Sequence, residues 1–184
     1  MLGQNGQVEQ QRYQVRFDWG IPGAHVIGTA ADVLVWVDAI EEPNSPSANV
    51  EALLAAVPNT PVLLTTDLPT AAAVAQWIVD YQVRRGDRIS IAIVAAGSDR
   101  DGDVRFAVED LLAAGAVIDA LSALGLDATS PEAAAAEAAY RGLARATSHL
   151  LTASTTAATT VPAPASLRVD SSLSSTDVRV VRDA

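Results

Sequence analysis

From Ala31 onward the sequence alternates short apolar, β-branched runs with segments of helical periodicity, and this narrows its possible folds more than any other feature. Residues 31–40 read ADVLVWVDAI, a nearly continuous apolar run that reaches Asp38. A run with so little polar alternation is a strand covered on both faces, as in a parallel sheet. Residues 62–66 and 89–95 repeat the pattern. Between the runs, Val50, Leu53, Leu54 and Val57 recur at helical spacing, and Pro58 stops that helix. Val74, Trp77, Ile78 and Tyr81 mark a second helix, with Pro69 and Thr70 near its start and Gly86 past its end. Val108, Leu111, Leu112 and Ile118 mark a third, closed by Gly125. Ser130, suited to the N-cap, and Pro131, suited to the first helical position, open a long Ala-rich fourth. Such alternation predicts a mostly parallel sheet with right-handed crossovers and helices on its faces.

The flanks read differently. Tyr13, Val15, Phe17 and Trp19 alternate with Gln14, Arg16 and Asp18, the pattern of a half-buried strand ended by Gly20. Residues 13–19 are expected to form an exposed antiparallel edge, a natural place for a second copy of the chain to pair into a homo-oligomer. Residues 152–166 (TASTTAATTVPAPAS) are of low complexity and read as a loop, while 167–169 and 177–181 turn weakly strand-like. The expected organisation is a disordered leader over 1–11 and one α/β domain over 12–184. That domain is a three-layer α/β/α structure around a mostly parallel or mixed β-sheet with antiparallel edge strands.

Composition bounds the function. The 184 residues are 49% hydrophobic and 18% charged, a globular composition with no apolar run long enough to span a bilayer. Residues 1–11 carry neither a basic nor an apolar signal region, so no secretory signal is expected. There is no Cys, which fits the cytoplasm and removes thiolate metal sites and cysteine nucleophiles. A net charge of −10 without a basic stripe argues against nucleic acid as a partner. All twelve basic residues are Arg, so Schiff-base chemistry is excluded. No dinucleotide or P-loop glycine pattern and no G-x-S-x-G elbow occurs, and two His without Cys supply zinc poorly.

Ligands of open α/β sheets bind beyond the carboxyl ends of the strands. That edge should gather Asp38 from the first buried strand, and Thr65 and Thr66 from the second. The third leads through Gly97, Ser98 and the loop Asp99-Arg100-Asp101-Gly102-Asp103 to Glu109 and Asp110. Asp38, Glu109 and Asp110 are hard oxygen donors suited to Mg²⁺. Acids in a first helical turn also suit the helix dipole, so the two readings stand side by side. The acidic loop is a solvated turn, since Gly102 lies fourth from Asp99 where a calcium-binding EF-hand loop needs its Gly sixth. Arg100 and Arg105 flank it and could grip an anion bidentately.

Residues 95–121 (AAGSDRDGDVRFAVEDLLAAGAVIDAL), with V-E-D-L-L-x-A-G-A-V-I at their centre, resemble the 2-phosphosulfolactate phosphatase family in its actinobacterial form. Residues 13–20 (YQVRFDWG) with the strand reaching Asp38, residues 70–78 (TAAAVAQWI) and residues 130–151 are similar to it as well. The resemblance implies an α/β sandwich that removes phosphate from 2-phospho-3-sulfolactate or a related phospho-acid with Mg²⁺. It assigns Asp38 and Glu109 as catalytic residues and Asp38, Glu109 and Asp110 as metal ligands. Arg100, Arg105, Thr65 and Thr66 become substrate-binding residues for a small anionic phosphate ester. In family members a Ser/Thr-rich helix start follows the first Asp, whereas here Glu41 and Glu42 follow. That difference supports an alternative, a catalytically silent descendant acting as a binding or scaffold domain.

Overall fold

The computed structural model describes residues 10–40, 50–57, 59–65, 68–101, 103–159 and 178–183. In chain order these form β1 (Val15–Trp19), α1 (Gly20–Gly23), which runs into a π-helical turn (Ala24–Gly28), β2 (Val33–Val37), α2 (Val50–Ala56), β3 (Val62–Thr65), α3 (Ala71–Arg85) and β4 (Ile91–Ala95). There follow β5 (Ser98–Arg100), β6 (Asp103–Arg105), α4 (Val108–Ala123), α5 (Pro131–Leu143), a 3₁₀ turn (Ala144–Ala146), α6 (Thr147–Ala153), α7 (Thr155–Thr159) and β7 (Arg179–Arg182).

Five strands make one sheet in the order β1-β4-β2-β3-β7. The first four are parallel and β7 pairs antiparallel with β3, so the chain is a mixed α/β protein with an antiparallel edge. The apolar runs produce this directly. Every residue of β2 and β4 is buried, because alternate side chains feed two cores. Val33, Val35, Val37, Ile91 and Ile93 face α3, α4 and α5, while Leu34, Trp36, Ala92 and Val94 face α2 and the π-helical turn. Of the residues that predicted α2, Leu53 and Val57 are fully buried, and Pro58 lies outside the described residues. Gly86 ends α3 at φ 74°, donating its N–H to Gln82 O and Val83 O. Ser130 caps α5, its Oγ accepting from Ala133 N–H at 3.1 Å, with Pro131 first in the helix.

Three expectations are corrected. First, β1 is an edge strand, but it runs parallel to β4 and its outer side is closed. Val15 N–H donates to Ala128 O (3.1 Å) and Val15 O accepts from Ser130 N–H (2.8 Å). Two residues on, Phe17 N–H donates to Gln10 Oε1 (3.0 Å) and Phe17 O accepts from Gln10 Nε2 (2.9 Å). The primary amide of Gln10 thus replaces a neighbouring strand, which protects the edge from a second copy. Second, Gln10 and Gln11 are anchored to this strand and are not part of a free leader: Arg16 Nη2 donates to Gln11 O at 3.2 Å. Residues 1–9 lie outside the described residues. Gln10→Ala should expose the Phe17 backbone, lower stability by about 1–2 kcal/mol and raise self-association; sedimentation against concentration measures the second effect, and a strictly monomeric variant would refute it.

Third, the low-complexity segment is not all loop. α5 ends at Leu143, α6 runs on to Ala153, and α7 follows at Thr155–Thr159. Ser154 explains the restart, since its Oγ accepts from Ala157 N–H at 3.2 Å as an N-cap does. The expected strand at 167–169 lies outside the described residues, while the one at 177–181 corresponds to β7, which runs from Arg179 to Arg182. Its Arg182 donates to Thr60 O (2.9 Å) and Leu54 O (3.1 Å) and also to Val57 O, satisfying carbonyls at and just beyond the end of α2. Among the described residues no helix is long and apolar enough to cross a membrane.

Candidate functional site at the carboxyl edge of the sheet

Strands β2 and β4 end in register, Val37 opposite Ala95, and their continuations diverge above the sheet. Asp38 follows β2, its N–H donating to Thr65 O at 3.0 Å. Ala96, Gly97 and Ser98 follow β4. Gly97 has to be glycine: its φ is 70°, and a Cβ there would lie 2.7 Å from Val104 Cγ1 and 2.8 Å from Arg105 O. That gap lets β5 and β6 fold back as a hairpin over the ends of β1 and β4. The acidic loop is the hairpin's turn, with Asp101 at φ 56° and both Asp101 and Asp103 exposed to solvent. Its Asp-Gly pair is the usual short-hairpin signal, and reading the segment only as a turn missed it.

The first turn of α4 brings Glu109 and Asp110 over the same edge, where both are buried, as is Asp38. Asp110 has a defined task. Its Oδ1 accepts from Ala39 N–H and its Oδ2 from Gly97 N–H, both at 2.8 Å. One carboxylate therefore ties the end of β2 to the end of β4. Burial raises its pKa well above the ordinary carboxylate value, and the Asp38 charge raises it further. The two amide donors pull it down, but less strongly. A neutral carboxyl still accepts both amide hydrogens through its remaining lone pairs.

Glu109 is disposed differently. Successive helical residues are about 100° apart, and on α4 Asp110 meets the sheet edge while Gly115 meets α5. Glu109 falls on the other side of Asp110 from Gly115. Its Oε1 is buried without a hydrogen-bond partner, an uncommon and costly state for a polar atom. Near the start of α3, the hydroxyls of Thr65 and Thr70 lie 2.5 Å apart in a hydrogen bond. Thr66 lies outside the described residues.

Arg105 points from β6 to a pair of hydroxyls. Its Nη2 donates to Ser98 Oγ (2.7 Å) and to Thr156 Oγ1 (3.2 Å), and those two oxygens are 2.7 Å apart in a further hydrogen bond. The side chain of Arg100 lies outside the described residues. Next to Arg105, Phe106 is 56% exposed and leans on Trp19, with ring centroids 5.3 Å apart. His25 and His149 are both exposed, on the π-helical turn and α6.

The structure thus brings Asp38, Glu109, Asp110 and Thr65 to one edge, with Arg105 on the hairpin beside it. No protein-family model matches the chain, and no curated protein matches it. Among the described residues no three His, Cys, Asp or Glu side chains are grouped so as to cage a metal ion. Mg²⁺ commonly takes only one or two carboxylates together with substrate phosphate oxygens. Glu109, with its unsatisfied buried oxygen, suits a cation, and Asp38 is a second hard donor at the same edge. Asp110 suits it less, because both of its oxygens already hold amides.

Proposed function

We propose that the chain is a cytoplasmic, Mg²⁺-dependent hydrolase of a small phosphate monoester, 2-phospho-3-sulfolactate or a related phospho-acid. The buried, partnerless Oε1 of Glu109 carries this reading, since a buried acidic oxygen without a donor is costly and a bound cation would relieve that cost. One of Asp38 and Glu109 would hold Mg²⁺, which when bound supplies Lewis-acid stabilisation of the phosphoryl oxygens. The other carboxylate would take or return the proton of the attacking water. Thr65 and Arg105 orient the ester through hydroxyl and guanidinium donors, with Thr66 and Arg100 as further substrate-binding residues. Asp110 has a positioning role, tying together the two segments that carry Asp38 and Ser98.

A second reading follows from Asp110 itself. A carboxylate that ties two strands is useful with no chemistry at all, which favours a silent descendant acting as a binding or scaffold domain. Phosphate release from 2-phospholactate and p-nitrophenyl phosphate, with Mg²⁺ and with chelator, separates the two. The hydrolase reading expects metal-dependent turnover that falls about 100-fold or more in Asp38→Ala and Glu109→Gln. Turnover that ignores the chelator or survives both substitutions would sink it.

A further inference from the structure

We infer that Trp19, Pro22, Val104 and Phe106 form a docking surface for a partner protein segment that carries basic residues beside apolar ones. The inference does not depend on the hydrolase reading above.

Strand β6 is amphipathic in the wrong sense for a strand that meets water. Alternate side chains of a strand point to opposite faces. Here Arg105 turns towards the protein and donates to Ser98 and Thr156. Val104 and Phe106, on either side of it, are 45% and 56% exposed. Leaving two large apolar side chains in solvent forfeits the gain of burying them.

The two residues belong to one surface. Gly20 and Gly97, both at positive φ, let Val104 press onto the ends of β1 and β4. A Cβ at Gly20 would stand 2.5 Å from Val104 Cγ2 and 3.5 Å from Pro22 Cδ. One at Gly97 would stand 2.7 Å from Val104 Cγ1 and 3.5 Å from Trp19 Cε3. Val104 therefore neighbours both the exposed Pro22 and the half-buried Trp19, and Trp19 in turn holds the Phe106 ring at 5.3 Å. A contiguous apolar patch rimmed by polar residues marks an interaction site, and aromatic anchors are typical of interface centres.

The rim decides the partner. The hairpin turn from Asp99 to Asp103 holds three acids and one Arg, and Asp101 and Asp103 are exposed to solvent. In a two-fold contact with a second copy the patch would meet itself and bring these acids together, on two chains of net charge −10 each. An anionic lipid surface is repelled for the same reason. A protein segment with Lys or Arg next to its apolar side chains complements both the patch and its rim.

The test is fluorescence anisotropy of a labelled amphipathic peptide of Leu, Trp and Lys titrated with the full chain, beside a counterpart with Glu in place of Lys. The Lys peptide should bind, and more weakly as salt rises. Phe106→Ser and Val104→Ser should each weaken it about tenfold, whereas Val83→Ser, at an apolar residue 72% exposed on α3, leaves it unchanged. Replacing Asp101 and Asp103 together with Asn should flatten the salt dependence. Should Val104→Ser loosen the hairpin, Phe106→Ser carries the same comparison, since Phe106 is more than half exposed. A parent that ignores the Lys peptide, or binds it equally well after Phe106→Ser, overturns the docking surface. Preference for the Glu peptide overturns the basic partner. Self-association of the parent in sedimentation, abolished by Phe106→Ser, makes a second copy the occupant and overturns the inference as well.

Discussion

Replacing Asp110 with Ala should destabilise the fold by about 2–6 kcal/mol, since two buried N–H groups lose their acceptor at about 1–3 kcal/mol each. Both bonds are 2.8 Å long and lie in the interior, so water cannot step in for the missing carboxylate as it would at a surface. Asp110→Asn is the sharper variant. An argument from charge alone expects Asn to stabilise, because it removes a buried acid facing Asp38. Hydrogen bonding expects the reverse: the side-chain amide offers one acceptor where two are needed and turns its NH₂ on the second donor. We expect hydrogen bonding to win, with Asn close to Ala in urea unfolding. An Asn variant more stable than the parent would show that the carboxylate is tolerated rather than required.

The same residue gives stability a pH slope. The folded-state pKa of Asp110 is raised, so between the ordinary value of about 3.9 and the raised one the folded state holds more protons than the unfolded. Stability from this group is therefore greatest at low pH, declines as pH rises through that window, and is level above it. In Asp110→Ala that component should vanish from the pH dependence of unfolding, leaving the contributions of the other carboxylates. A slope identical to the parent's would mean Asp110 ionises in the folded state as it does in the unfolded chain.

The layering of the fold was legible in short stretches of sequence. ADVLVWVDAI can bury both of its faces only inside a sheet, and Ser130-Pro131 can hardly be anything but a helix start. What stayed hidden depended on contacts between distant residues. Gln10 reads as one more polar residue of a leader until its amide is seen against Phe17. Thr156 reads as low complexity, and only the docking of α7 against the hairpin makes it the neighbour of Ser98 and Arg105. Asp110 is the instructive case. An acid in a first helical turn is accounted for by the dipole, so periodicity gives no reason to look further. Its amide partners are 71 and 13 residues away. The carboxyl edge itself was legible, as were the acids that reach it; the division of labour among those acids was not.

Gly115→Ala should lower stability by about 2 kcal/mol or more, although helix propensity alone predicts a gain of about 1 kcal/mol for removing a glycine from a helix interior. The two arguments have opposite signs, and the contact distances decide between them. A Cβ at residue 115 would stand 2.3 Å from the carbonyl oxygen of Ala136 and 2.7 Å from Tyr140 Cβ. A backbone oxygen inside α5 cannot swing aside as a side-chain tip can, so the whole helix must move or α4 must tilt. α4 is the helix least free to tilt. It packs against both α3 and α5, and its first turn is held to the strand ends through Asp110. Strain introduced at Gly115 should therefore reach Glu109 and Asp110 at the helix's other end. Urea unfolding of Gly115→Ala measures the first effect. Hydrogen exchange at the Ala39 and Gly97 amides measures the second, with faster exchange expected at both. A variant as stable as the parent, with both amides equally protected, would mean that α5 yields locally. The small residue in the V-E-D-L-L-x-A-G-A-V-I stretch would then be a convenience of packing, with no part in holding the site together.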